Sequence, residues 1–206
     1  MSYIEFKLQC KAVYYGMSQL DDELARCGHD FNDACRMGLL EAVKWLSRAM
    51  INDVSSSTAL NIIRRNHMEA FQLAACHGHL EVVKYFVSLE LNSNNSSLND
   101  IRSGIMAALQ YAAMNGHLEV VQYLVSLGLN IDDIRSKDNY ALHQAVRNGH
   151  LEVVKYLYSL GLTIDDIRSD NMAVLSGAAC NGHLETVQYL YSLGLNFNNE
   201  LLNDIL

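Results

Sequence analysis

The segment Gly149-His150-Leu151-Glu152-Val153-Val154-Lys155-Tyr156-Leu157 recurs almost unchanged from Gly182, Gly116 and Gly78, and in weaker form from Gly38. Along the chain the glycine-to-glycine steps are 40, 38, 33 and 33 residues. A near-constant period of this size constrains the fold more than any other feature. Each unit is too small to bury its own apolar face, so neighbouring units must stack and share one continuous core.

The residues between the glycines describe the unit. From Leu151 to Leu160 the apolar positions are 151, 154 and 158, flanked by 153, 157 and 160, while Glu152, Lys155 and Ser159 share the remaining face. That pattern predicts a helix with one broad apolar side. Gly161 can take the left-handed conformation that closes a helix, with Leu162 as the apolar contact after it, and Gly128 and Gly194 stand in the same place in their copies. Before each central glycine lies a shorter stretch rich in small residues, such as Leu142 to Asn148, or Leu175, Ala178 and Ala179. These predict a second helix able to approach its neighbour closely. The polar run Asn130 to Asn139 is the right length for a projecting loop or hairpin between units.

Ala141-Leu142-His143-Gln144-Ala145 followed by Gly149-His150-Leu151-Glu152-Val153-Val154 resembles the ankyrin consensus, a Thr-Pro-Leu-His opening and then Gly-His-Leu-Glu. The resemblance implies an all-α ankyrin-repeat solenoid of stacked helix-turn-helix units with projecting loops or short hairpins, its good copies covering about residues 66 to 199. The wording Tyr123-Leu124-Val125-Ser126-Leu127-Gly128-Leu129-Asn130 most resembles arrays carried by giant DNA viruses of amoebae. The chain departs from the consensus in having no proline. Tyr140-Ala141, Ala173-Val174, Ala107-Ala108 and Glu69-Ala70 stand where Thr-Pro would be, and His143 alone keeps the consensus histidine, against Gln72, Gln110 and Ser176. The leading helices should therefore begin less sharply. Glu90 replaces a terminating glycine, and the step of 38 adds five residues there, which predicts an enlarged, mobile loop over 91–97.

These features predict one ankyrin-repeat domain over 1–206. Gly16 to Gly28 reproduces the twelve-residue distance of Gly149 to Gly161, yet Gly38 follows Gly16 by only 22 residues, leaving no room for a hairpin. Residues 1–50 are accordingly expected to form degenerate N-terminal cap repeats. Residues 51–199 should hold about four repeats, and 200–206 a C-terminal cap or the start of a truncated repeat.

Composition excludes several classes of partner. A hydrophobic content of 50% is ample for a core, and the net charge of -8 disfavours both a phosphate backbone and an anionic membrane surface. No charge-free apolar run is long enough to cross a bilayer. Glu5 interrupts the most apolar stretch of the N-terminus, which argues against a secretory signal. Cys10, Cys27, Cys35, Cys76 and Cys180 are odd in number and irregularly spaced, as expected of small buried apolar groups in a reducing cytoplasm.

No enzymatic, cofactor or metal chemistry is expected. His79, His117, His150 and His183 repeat with the array, but equivalent positions in packed helices lie roughly 8–10 Å apart, whereas zinc needs each ligand at about 2 Å. The row should instead bond each neighbour's turn. Cys27-Gly28-His29-Asp30 places a thiol, a base and an acid side by side, but catalytic sets are assembled across a fold rather than along a chain. Phosphate-cradling glycine motifs, zinc-protease motifs and nucleophile elbows are all missing. The recurrent Asp-Ile-Arg-Ser puts Arg102, Arg135 and Arg168 one repeat apart. We read these as structural, bonding Asp133 or Asp166 of a neighbouring loop, with an exposed ladder for an acidic partner as the alternative.

The resemblance implies binding through a concave surface of loop tips and leading-helix positions. The tips are Ser136, Lys137 and Asn139, then Ser169, Asp170 and Met172, and in the preceding unit Ser103, Gly104 and Met106. Leading-helix positions are Arg147, Asn148, Cys180, Asn181, Met114 and Asn115, with Cys76 and His77 before them. The methionines suit adaptable contacts or partial burial between units equally well. The expected function is a monomeric, non-enzymatic protein-protein interaction module or adaptor for a host or viral protein, with a self-associating scaffold as the alternative.

Overall fold

The computed structural model describes residues 18–52, 57–91, 98–168 and 173–194. All regular structure among them is helical. The chain divides into two compact units, residues 1–74 with 79–93 and residues 75–78 with 94–206.

The first unit contains α1 (Ser18–Arg26), α2 (Phe31–Arg36), α3 (Leu40–Asn52), α4 (Ser57–Cys76, whose last two residues belong to the second unit) and α5 (Leu80–Leu91). Asp30 starts α2 by accepting the Asp33 N–H at 2.9 Å. The α2 to α3 turn is made by Gly38 at φ +70°. The His79 ring fills the space where a Gly38 Cβ would stand, and its Nε2 donates to the Arg36 carbonyl at 2.7 Å. Glu23 of α1 is buried, and its carboxylate accepts the Ala42 N–H at 2.9 Å in the first turn of α3. An acid is favoured there because the unpaired amides of a helix start carry partial positive charge. Ala34, Cys35, Ala42, Val43 and Val83 are fully enclosed, and Phe31, His67 and Phe71 pack around Phe86. Burial pushes the Cys35 thiol up to about 12 and raises that of Cys27, which fits their reading as apolar filler. The first helix of the degenerate cap, the enlarged loop over 92–97 and the 200–206 cap lie outside the described residues.

The second unit is a run of helix pairs: α6 (Leu98–Met114) with α7 (Leu118–Ser126), α9 (Ser136–Arg147) with α10 (Leu151–Ser159), and α12 (Ala173–Cys180) with α13 (Leu184–Ser192). Two short helices connect them, α8 (Ile131–Ile134) and α11 (Ile164–Arg168). At the α9 to α10 turn the His150 N–H reaches back to the Ala145 carbonyl at 2.9 Å and the Gly149 N–H to Val146 at 3.0 Å, with Gly149 at φ +73°. This is the left-handed closure that the glycine spacing predicts. The core runs through Leu109, Leu124, Leu142, Leu157, Ile167, Leu175 and Leu190, each under 2 % exposed.

Where a projecting hairpin was an open expectation, the described connectors are short helices. Asn130 and Asp133 form a reciprocal capping box that starts α8, and Thr163 and Asp166 bond in the same positions of the next connector. After α8 the chain makes a left-handed turn at Lys137, Asp138 and Asn139, with φ between +52° and +59°. One period earlier Gly104-Ile105-Met106 runs straight on as part of α6. The difference is chemical: Asp and Asn tolerate the left-handed region, whereas the β-branched Ile105 does not. The turn is held by Asn139, only 7 % exposed, whose N–H donates to the Arg135 carbonyl and whose amide donates to the Asp166 carbonyl at 3.2 Å.

Candidate functional site

Several residues that repeat with the period join one helix pair to the next. In the second unit the His117 and His150 rings donate through Nε2 to the Cys76 and Met114 carbonyls, each at 2.9 Å. Asn115 reaches Cys76 Sγ at 3.3 Å, Asn148 the Met114 carbonyl at 3.1 Å and Asn181 the Arg147 carbonyl at 3.2 Å. Arg102 forks onto Asp133, and Arg135 onto Asp166 through Nε at 2.9 Å and a terminal nitrogen at 3.2 Å. The structural reading of the Asp-Ile-Arg-Ser arginines holds for these two; the Arg168 side chain lies outside the described residues.

These bonds imply a two-stage acid sensitivity. Burial holds the His150 imidazole below its ordinary value of 6.5, outweighing the Met114 bond that raises it. The unfolded chain then binds more protons in that window, so this contribution is complete above about pH 6.5 and declines as pH falls through it. The fork from Arg102 holds Asp133 below its ordinary range; burial alone would raise Asp166, but its bonds from Arg135 and Thr163 prevail and lower it. Their contribution is lost only as pH falls below about 4. Denaturant midpoints measured against pH should show a shallow loss in the first window that His150→Asn removes, and a second, at lower pH, that Asp166→Asn reduces. An unchanged first step in the His150 variant would contradict this assignment.

The expected surface residues divide into three groups. Ser103, Lys137, Arg147 and Cys180 are exposed, and Ser136, Met106 and Met114 are half-buried. Asn115, Asn148 and Asn181 are tied back to the preceding helix, and Asn139, expected at a loop tip, is instead buried inside the left-handed turn. Asn115 and Asn181 remain exposed despite these bonds, Asn148 is half-buried and Asn139 is buried. The signal was present in the sequence: asparagine recurs at 115, 148 and 181, two residues before the histidines of the same three copies. Ser169, Asp170 and Met172 lie outside the described residues.

Between α9 and α12 there is a depression of about 430 Å³, lined by Lys137, Asp138, Tyr140, His143, Gln144, Arg147, Ala173 and Val174. Only Lys137 and Arg147 of these were expected. Tyr140, 41 % exposed, forms a wall because alanine occupies its place one period either side, at Ala107 and Ala173. Gly177 replaces Gln144 and Tyr111 in its own column. A Cβ on Gly177 would stand 3.2 Å from Arg147 Cγ, so the arginine stem lies directly on the α12 backbone. His143 Nε2 is engaged with the Asp166 carbonyl at 2.8 Å, and Lys137 Nζ makes a long contact with Gln110 at 3.4 Å. Among the described residues no group of three or more His, Cys, Asp or Glu is placed to hold a metal, and no helix is long and apolar enough to cross a membrane.

The family model for ankyrin repeats (3 copies) matches residues 11–135 and 109–200. No curated protein matches the chain. With most of the sequence covered by that model, and a helix pair joined by a left-handed glycine turn recurring along the described residues, the chain belongs to the ankyrin-repeat family.

Proposed function

We propose that this protein is a non-enzymatic adaptor that binds a folded protein through the exposed face of its leading helices and loop ends in the second unit. Ankyrin repeats are generally protein-protein interaction modules and typically lack enzymatic activity. The observation that carries the reading is the contrast on that unit. The recurring histidines His117 and His150 and the Arg102 and Arg135 forks join helix pairs, whereas Tyr111, Tyr140, Lys137 and Arg147, which differ between copies, are exposed. Aromatic and arginine side chains are those that most often anchor protein interfaces. The viral resemblance would put the partner among host or viral proteins of an infected cell's cytoplasm.

Affinity capture with the intact chain beside a Tyr140→Ala, Arg147→Ala double variant tests this. A protein retained by the first and lost by the second, with both equally helical by circular dichroism, is the expected result. Equal retention by both would place the binding surface elsewhere. The scaffold alternative draws on Leu184, Tyr191 and Leu193, exposed on the α13 pair. Light scattering separates the two: the adaptor reading expects 23.1 kDa at every concentration, and a mass that rises with concentration favours self-association.

A further inference from the structure

We propose that the depression between α9 and α12 is a carboxylate subsite, receiving a glutamate or aspartate side chain from an acidic segment of the partner, with Arg147 as its pairing group. The inference rests on the protein-binding reading and names the chemistry of the partner.

Arg147 differs from the other arginines whose partners are defined. Arg36 is paired with Asp33, Arg102 with Asp133 and Arg135 with Asp166. Arg147 is exposed in the wall of a depression, its carbonyl accepting from Asn181 but its guanidinium without a hydrogen-bond or ion-pair partner among the described residues. In a chain of net charge -8 an unpaired guanidinium is not a consequence of scarce acids.

The surroundings prepare it for an anion. Its stem lies against the bare backbone of Gly177, so part of the side-chain entropy that an ion pair would otherwise cost is already lost on folding. The planar guanidinium fits a carboxylate with two parallel bonds, which gives geometry as well as charge. Lys137 adds a second cation whose nearest partner is the neutral Gln110 amide. Asp138 is the one acid in the lining among the described residues, and His143 already spends a ring nitrogen on a backbone carbonyl. The lining formed by the described residues is therefore cationic by one charge within an acidic molecule, and Tyr140 supplies an apolar wall for the chain that carries the carboxylate. That local sign selects an acidic segment, while the acidic remainder repels a long polyanion.

The test titrates short synthetic peptides, alike except for the number of glutamates around one apolar residue, against the full chain and its Arg147→Glu, Asp138→Lys and Tyr140→Ala variants. Affinity should rise with glutamate count, weaken with added salt, fall at least about tenfold in Arg147→Glu and strengthen in Asp138→Lys. Opposite effects from two exposed substitutions cannot come from misfolding. Failure of the intact chain to retain acidic peptides, or acidic binding unchanged by Arg147→Glu, overturns the subsite. Peptides bound regardless of charge but lost in Tyr140→Ala would also overturn it while leaving the protein-binding reading intact.

Discussion

Gly149→Ala is expected to destabilise the second unit by about 3 kcal/mol, whereas the same change at Gly182 should cost about 1 kcal/mol. Both glycines sit at nearly the same left-handed φ, +73° and +76°, so both variants carry the left-handed strain of an alanine, offset in part by a stiffer unfolded chain. Only Gly149 has a neighbour in the way. An added Cβ would lie 2.3 Å from His183 Cγ and 2.9 Å from His183 Cβ, whereas at Gly182 nothing stands within 4 Å. A rotamer change moves Cγ but leaves His183 Cβ where the backbone puts it, so the α13 pair itself must shift. Denaturant unfolding of the two variants checks this, since their difference isolates the clash from the backbone strain. Equal losses would mean that the histidine does not lock one turn onto the next.

Leu142→Ala should cost a similar amount, about 3 kcal/mol, by leaving a cavity that its surroundings only partly fill. Leu142 is fully enclosed on α9, the helix that packs against both α6 and α12. In a stack of repeats each pair is stabilised mainly by its neighbours, so loosening a central helix also weakens coupling across it. The expected unfolding curve has a lower midpoint and a shallower slope, as the copies on either side begin to melt separately. A loss under about 1 kcal/mol with unchanged slope would mean that the core is shared differently from what burial of this leucine requires.

The sequence by itself determined the repeat unit. Its 33-residue period, the glycines that only a left-handed turn requires and the one-sided apolar pattern of Leu151 to Leu160 are all local properties, dictated by backbone sterics and helical periodicity. The histidine row could likewise be read as structural, because each ring stands one residue after a turn glycine, where it can bond the neighbouring turn. Tertiary structure decided how the connectors run and which polar residues remain available. Asn139 looks like any loop asparagine until the left-handed turn buries it beneath the Asp166 carbonyl. Asn148 and Arg147 are adjacent in sequence, yet the amide of the first is bound to the Met114 carbonyl and the guanidinium of the second is left without a partner among the described residues. The depression beside Arg147 exists because Tyr140 on one helix faces Ala173 and Val174 on the next. Partner choice and cavity shape are properties of pairs of residues brought together from different repeats, and a one-dimensional pattern carries no information on those distances.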